Sequence, residues 1–342
     1  LRLALALFAS LFATPALAEW VATQITRPGG NNAAIVDGIA RTVEQPPALI
    51  PCPGATPPFA YSFDCKSFTG DTSDAVKPAT LPPKGGLPDG TVAFGPDGSD
   101  IHKAWYADPT DRYGHGALGD GIEGGSLVVE LAGEKRLSAT LPRREVFEDR
   151  TPRIVDLDGS GQLHILTIIA DRNKGAAVAV YKIADGKLTR VGQTPFIGRS
   201  NRWLNIAGFE DFDGSGRKSV TLVKTPHLAG ILQFWRWEDS KFTLRAEQAG
   251  FSNHQNRSRE QRLSAVADFD GDGRLDLALP SLDRRSLQFV RFVGSSAKTF
   301  ETFASVRLPA RIDKPIVTHE STDGLVITIG LDDTSVYAVH RK

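Results

Sequence analysis

From residue 90 onward the chain alternates short apolar, β-branched runs with turns of Gly, Asp, Ser and Asn, a texture that predicts many short strands rather than helices. Three stretches share a layout of four runs. The first covers residues 153–158, 163–170, 176–183 and 187–193; the second 204–209, 219–225, 231–237 and 241–247; the third 263–269, 275–282, 286–292 and 300–308. Hairpin-type turns, Ala184-Asp185-Gly186-Lys187 and Glu238-Asp239-Ser240-Lys241, join the last two runs of a unit. A related turn upstream, Ala132-Gly133-Glu134-Lys135, marks a degenerate fourth unit with strands expected at 101–107, weakly near Ala117, and at 126–131 and 136–141. A fifth, also degenerate, runs from Pro315 through Leu325 to Leu331 and then from Ser335 to His340. It supplies three strands, and an orphan strand at 91–95 is expected to complete it, because an open array would leave an exposed sheet edge.

Between the first and second runs of the three clear units lie acidic turns. The richest is Asp268-Phe269-Asp270-Gly271-Asp272-Gly273-Arg274-Leu275-Asp276, with Asp156-Leu157-Asp158-Gly159-Ser160-Gly161 and Asp211-Phe212-Asp213-Gly214-Ser215-Gly216 repeating its core. Carboxylates at alternate positions and a backbone carbonyl are how a short turn gathers the oxygens a hard dication requires. The third turn offers a full calcium set: Asp268, Asp270, Asp272, the carbonyl of Arg274, and Asp276. The turns at 156–164 and 211–219 are poorer, since Ser160 and Ser215 replace a carboxylate and His164 and Ser219 stand at the ninth position. Without metal, the same aspartates form Asx turns that bond backbone N–H groups. Leu279 where an EF-hand needs Glu, and strands on both sides, exclude that motif.

These Asp-x-Asp-Gly-x-Gly turns, recurring between strands from about Ile101 to His340, resemble the FG-GAP/VCBS repeats of the integrin alpha-chain propeller and its bacterial relatives. The resemblance implies an all-β β-propeller of four-stranded blades with calcium in the turns of some of them. Five blades are visible, five to seven fit the length, and an N-terminal strand is expected to close the ring. Fold resemblance implies nothing about adhesion, since function belongs to sites.

Composition adds a division of the chain: 1–18 as a leader, 19–88 as an irregular extension and 89–342 as the repeat array. Residues 1–18 carry Arg2, an apolar stretch and Ala16-Leu17-Ala18 before Glu19, the pattern of a secretory signal peptide, so a secreted or periplasmic location without a transmembrane segment is expected. Ten of the 21 prolines fall between Pro46 and Pro88, which disfavours regular sheet there, with short strands expected only near 33–36 and 59–63. Cys52 and Cys65, the two cysteines of the chain, are read as a disulfide. Lys plus Arg and Asp plus Glu both number 40, so no bulk field draws nucleic acid or an anionic membrane.

Charge is instead unevenly placed. In antiparallel meanders the turns after strands one and three share one edge, and those after strands two and four share the other. The edge opposite the acidic turns collects Arg153, Arg199, Arg202, Trp203, His227, His254 and Arg257, with Arg150, Arg284 and Arg285 nearby. Guanidinium forks grip carboxylate, phosphate or sulfate and an indole stacks on a ring, so the expected partner is a protein, an anionic glycan or an anionic small molecule. The competing account is that these arginines cap sheet ends and pair with acids. Tyr113-Gly114-His115-Gly116 is placed on the acidic-turn side. No catalytic residue is assigned: a hydrolase acting on a glycan or ester at the propeller mouth is the alternative, with Asp149 and Glu260 as the plausible carboxylates.

Overall fold

Burial explains the two kinds of strand. Second and third strands of a unit, such as His164–Asp171, are covered on both faces and read as continuous apolar runs. Fourth strands, such as Lys241–Ala249, alternate between covered and exposed side chains. In this computed structural model the described residues are 19–26, 33–36, 39–42, 50–51, 61–62, 80–294, 300–321 and 324–342. The leader 1–18 and the pairing of Cys52 with Cys65 lie outside them.

The fold is all-β, with no α-helix among the described residues. After β1 (Trp20–Thr26) come β2 (Ala33–Val36) with β3 (Ile39–Thr42), and β4 (Ile50–Pro51) with β5 (Tyr61–Ser62), two short antiparallel pairs. Five four-stranded antiparallel meanders account for the rest. The first is β6 (Ala93–Phe94), β7 (Ile101–Thr110), β8 (Glu123–Leu131) and β9 (Arg136–Thr140). The second is β11 (Arg153–Val155), β12 (His164–Asp171), β13 (Gly175–Ala184) and β14 (Lys187–Gln193). Strand β10 (Glu145–Phe147) pairs with both β8 and β12 and fuses these two into one sheet. The third is β15 (Leu204–Glu210), β16 (Ser219–Lys224), β17 (Ile231–Glu238) and β18 (Lys241–Ala249). The fourth is β19 (Ala265–Ala267), β20 (Asp276–Pro280), β21 (Ser286–Phe292) and β22 (Phe300–Arg307). The fifth orders β23 (Val317–Ser321), β24 (Gly324–Gly330), β25 (Val336–Arg341) and, outermost, β1.

The strand that completes the last sheet is therefore Trp20–Thr26, not residues 91–95. It runs antiparallel to β25, from Trp20 opposite Arg341 to Gln24 opposite Tyr337. Ala93–Phe94 instead begins the first meander, pairing with β7. The error is a count of one strand: Pro109 reads as a breaker in sequence, yet it lies in the ladder opposite Gly124, just past Asp108 at φ 54°. Residues 108–111 are thus no acidic-turn equivalent, and Ala117 is in no strand. The turn in that place is 95–100, which has lost the Asp-x-Asp core, and residues 111–122 move to the opposite edge.

Neighbouring meanders are joined by apolar seams. Leu157, Leu166, Ile168 and Val178 pack against Leu204, Ile206, Val220 and Trp237. Phe212, Val223 and Phe234 meet Leu277, Val290 and Phe292, and Phe269, Leu287 and Phe289 meet Trp20, Ile327, Ile329 and Val339. The third-to-fourth strand pairing carries the same register shift in three units, at Val180/Tyr181, Phe234/Trp235 and Phe289/Val290. A bulge kept at equivalent places is a designed bend.

Trp20 stacks on Phe289 with centroids 4.2 Å apart, meets Phe269 edge-on at 6.0 Å, and lies under the Arg341 guanidinium. Replacing Trp20 by Ala is expected to cost about 3–5 kcal/mol in denaturant unfolding and to expose the amides of β25 to hydrogen exchange. Phe94→Ser, at a half-exposed position of β6, should stay within about 0.5 kcal/mol of the parent. Equal effects would contradict β1 as the sealing strand.

Candidate functional site

Each acidic turn first holds itself. Asp156 accepts the N–H groups of Gly159 (2.9 Å) and Gly161 (2.8 Å), Asp211 those of Ser215 (3.0 Å) and Gly216 (2.7 Å), and Asp268 those of Gly271 (2.7 Å) and Gly273 (2.9 Å). The bend needs left-handed glycines, Gly271 and Gly273 at φ 81° and 85° in the third turn. The residue between the first two aspartates is a plug: Leu157, Phe212 and Phe269 are each buried in a seam. The ninth residue, His164, Ser219 or Asp276, is buried under the turn.

The three turns then diverge. In the third, oxygens of Asp268, Asp270 and Asp276 lie within 4.8 Å of one another. Burial pushes Asp276 up to about 7, although it accepts the Phe269 N–H, and the charges of Asp270, Asp272 and Asp268 add to the rise. Four acids this close favour a cation, and Arg291 already supplies one at 2.6 Å from Asp270 Oδ2. Asp272 accepts the Arg274 N–H at 2.8 Å. In the second turn Arg236 reaches from β17 to Asp213 and donates to Ser215 Oγ at 3.1 Å, so a guanidinium supplies the positive charge there. In the first turn, ligand atoms of Asp156, Asp158 and His164 lie within 4.8 Å, while Ser160 Oγ accepts the Gln162 N–H at 3.2 Å.

The opposite edge is built from the segments 111–122, 148–152, 194–203, 225–230, 250–264 and 281–285. Trp203 is 2% exposed, so it stacks on no ligand; its indole N–H donates to the Glu148 carbonyl at 2.9 Å. Its ring meets His254 at 4.5 Å. His254 Nε2 donates to the Ser258 carbonyl at 2.9 Å, so Nδ1 accepts, from His227 Nε2 at 2.8 Å. Burial lowers His227 to about 4 and His254 to about 3, and each is further disfavoured as a cation by a neighbouring histidine and Arg284. His115 stands on this edge, not on the acidic-turn side: its Nδ1 is 2.5 Å from Glu148 Oε1. Burial raises Glu148 well above the carboxylate range and lowers His115, leaving a neutral pair in which the carboxyl O–H donates to Nδ1.

Of the predicted site residues, Trp203, His227 and His254 come together in one cluster of rings, while Arg153 lines a separate cavity. Arg153 shares that cavity, of about 580 Å³, with Arg150, Arg259, Glu260 and Arg262, and every arginine there is engaged. Arg153 pairs with Asp149, Arg150 and Arg259 with Asp89, and Arg262 with Glu260. Asp149 is saturated, accepting from Tyr106 Oη, Arg153, Gln261 Nε2 and the backbone N–H groups of Arg150 and Ile168. Arg199 and Arg257 are exposed at the rim, and Arg202 donates to the neighbouring Asn201 carbonyl.

His227 and His254 line a different cavity, of about 470 Å³, with Arg284, Arg285 and Arg311, and Leu228 and Leu282 exposed at its lip. Arg284 donates to Gln255 Oε1 and the Ile312 carbonyl, and Arg285 to the Pro309 carbonyl, which fixes both forks while leaving further N–H donors on each. Asp283, the acid in the lining, is engaged by Ser281 and Arg307. The sequence places His227, His254, Arg284 and Arg285 on one edge but does not reveal Arg311, which comes from the segment before β23, far from Pro226 along the chain. No helix among the described residues is long and apolar enough to cross a membrane.

A histidine held neutral by burial contributes stability that is full above about pH 6.5 and is lost as pH falls toward its folded value. The stability advantage of the parent over His254→Gln is therefore expected to shrink by about 2–3 kcal/mol between pH 7 and pH 4.5 in urea titrations. A pH-independent difference would contradict the neutral pair.

A scan against protein-family models finds no match, and a search of curated proteins finds none either, so what this site does is read from its own geometry.

Proposed function

We propose that the chain is a non-catalytic, exported binding protein of β-propeller form. What supports the ring is the sequential packing of five four-stranded meanders, the N-terminal strand on the last of them, and β3 lying against that same sheet, in position to begin a further blade. The leader pattern at 1–18 supports export.

The ligand is an anion with an apolar portion, a glycan acid or phosphate-bearing group, bound in the cavity between His227 and Arg311. One observation carries this reading: Arg284, Arg285 and Arg311 surround a pocket whose histidines are neutral, whose acid is engaged elsewhere, and whose lip exposes two leucines. Glycan or ester hydrolysis has less support. Asp149 is saturated, Glu260 is paired with Arg262, and Glu148 and Glu123 are buried acids, Glu123 pushed up to about 10 by burial and by Glu148.

Capture of acidic oligosaccharides should fall at least about tenfold in the Arg285→Ala/Arg311→Ala variant, since each fork supplies charge-assisted hydrogen bonds. The rim variant Arg199→Ala/Arg202→Ala/Arg257→Ala should bind as the parent does. The reverse result would move the site to the rim.

Calcium belongs, in this reading, to the third acidic turn, where Asp268, Asp270 and Asp276 fit a hard cation. It would neutralise a cluster that burial makes costly. At a Kd on the order of 10⁻⁴ M, 10 mM calcium should stabilise chelator-treated protein by about 2–3 kcal/mol. Asp276→Asn should abolish that gain in thermal melts, and a parent protein indifferent to calcium would end the assignment.

A further inference from the structure

The first acidic turn differs from the third in the chemistry of its ninth position. His164 begins β12, opposite Val155 on one side and Lys182 on the other, and is 3% exposed. Its Nδ1 is buried without a hydrogen-bond partner. An orphaned, desolvated ring nitrogen costs free energy unless something accepts its lone pair or its proton. A ring nitrogen of His164 and carboxylate oxygens of Asp156 and Asp158 lie within 4.8 Å of one another, the spacing of ligands around one ion.

We propose that Asp156, Asp158 and His164 form a site for a borderline transition-metal dication of the zinc class, chemically distinct from the oxygen-only third turn. Calcium and magnesium take oxygen ligands, whereas zinc, cobalt, nickel and manganese accept imidazole together with carboxylate. Two carboxylates and one neutral imidazole balance the charge of a dication and leave a coordination position for water. Both Asp156 oxygens accept glycine N–H groups from the turn, which orients them and leaves each a further lone pair.

Equivalent positions in the repeat thus take three solutions. Asp276 completes a hard-cation set, Ser219 accompanies a turn whose cation is the Arg236 guanidinium, and His164 brings a nitrogen. Lys182 crosses the ladder from His164 and is part-exposed, and no ion pair joins it to Asp158 among those of the described residues. The first turn lacks the arginine clamp of the other two. This site is independent of the anion pocket and of calcium in the third turn.

The test uses the full chain after chelator treatment, with Asp268→Asn and Asp276→Asn silencing the third turn. Titration with zinc, and with cobalt as a spectroscopic probe, is expected to show one equivalent bound at least about 100-fold more tightly than calcium. Cobalt should give visible bands of a mixed nitrogen and oxygen site. His164→Ala should weaken zinc binding at least about 30-fold and remove those bands. Asp158→Asn, at an exposed position, should weaken zinc at least about tenfold, and His164→Asp should reverse the preference toward calcium. His227→Gln/His254→Gln should leave the bands intact. Three results would overturn the site: zinc binding indifferent to both His164→Ala and Asp158→Asn, calcium preferred by the parent turn, or bands lost with His227 and His254.

Discussion

An apolar side chain pinned between two aspartates is the constraint on which this molecule turns. Leu157, Phe212 and Phe269 each enter the seam between one sheet and the next, while the aspartates on either side face the turn. The plug makes a polar turn part of the core, so the position of that turn relative to the neighbouring sheet is set by packing, not by the turn alone. The first aspartate then satisfies backbone N–H groups that a sharp bend would otherwise leave unpaired. Seams and turns are one cooperative device, repeated.

The same economy governs the opposite edge. Long connections need their backbone carbonyls satisfied, and arginine forks supply donors in fixed geometry. Arg112, Arg150, Arg172, Arg284 and Arg285 all donate to main-chain carbonyls of other segments. Much of the positive charge is therefore architectural; around the His227–His254 pair, Asp283 is engaged by Ser281 and Arg307, and Arg311 stands 3.8 Å from Asp332. Burial keeps both histidines and the nearby Glu148–His115 pair uncharged, while the equally buried Asp149 is held by its ion pair with Arg153.

Repetition with variation places dissimilar side chains on one backbone. The ninth position of each acidic turn opens the second strand and is buried beneath the turn, whatever residue stands there. Changing that residue, or offering an arginine from the third strand, alters the local charge balance without altering the backbone. Turn conformation rests on glycine and aspartate; the chemistry of the ninth residue is not constrained by it.

In the three clear units, strand type and the spacing of the acidic turns were legible along the chain, because each follows from local patterning: apolar runs for doubly covered strands, alternation for outer ones, Asp and Gly where the backbone bends left-handed. The runs at 187–193 and 286–292 match β14 and β21 residue for residue. What local pattern does not encode is partnership. Nothing in the residues 20–26 announces that their edge meets Tyr337 to Arg341, and nothing near His227 points to Arg311. Whether an arginine binds a ligand or caps a carbonyl, and whether Trp203 stacks or is buried, likewise depends on segments distant in sequence. Those choices are made by burial and by the competition for hydrogen-bond acceptors, which exist only once the sheets have packed.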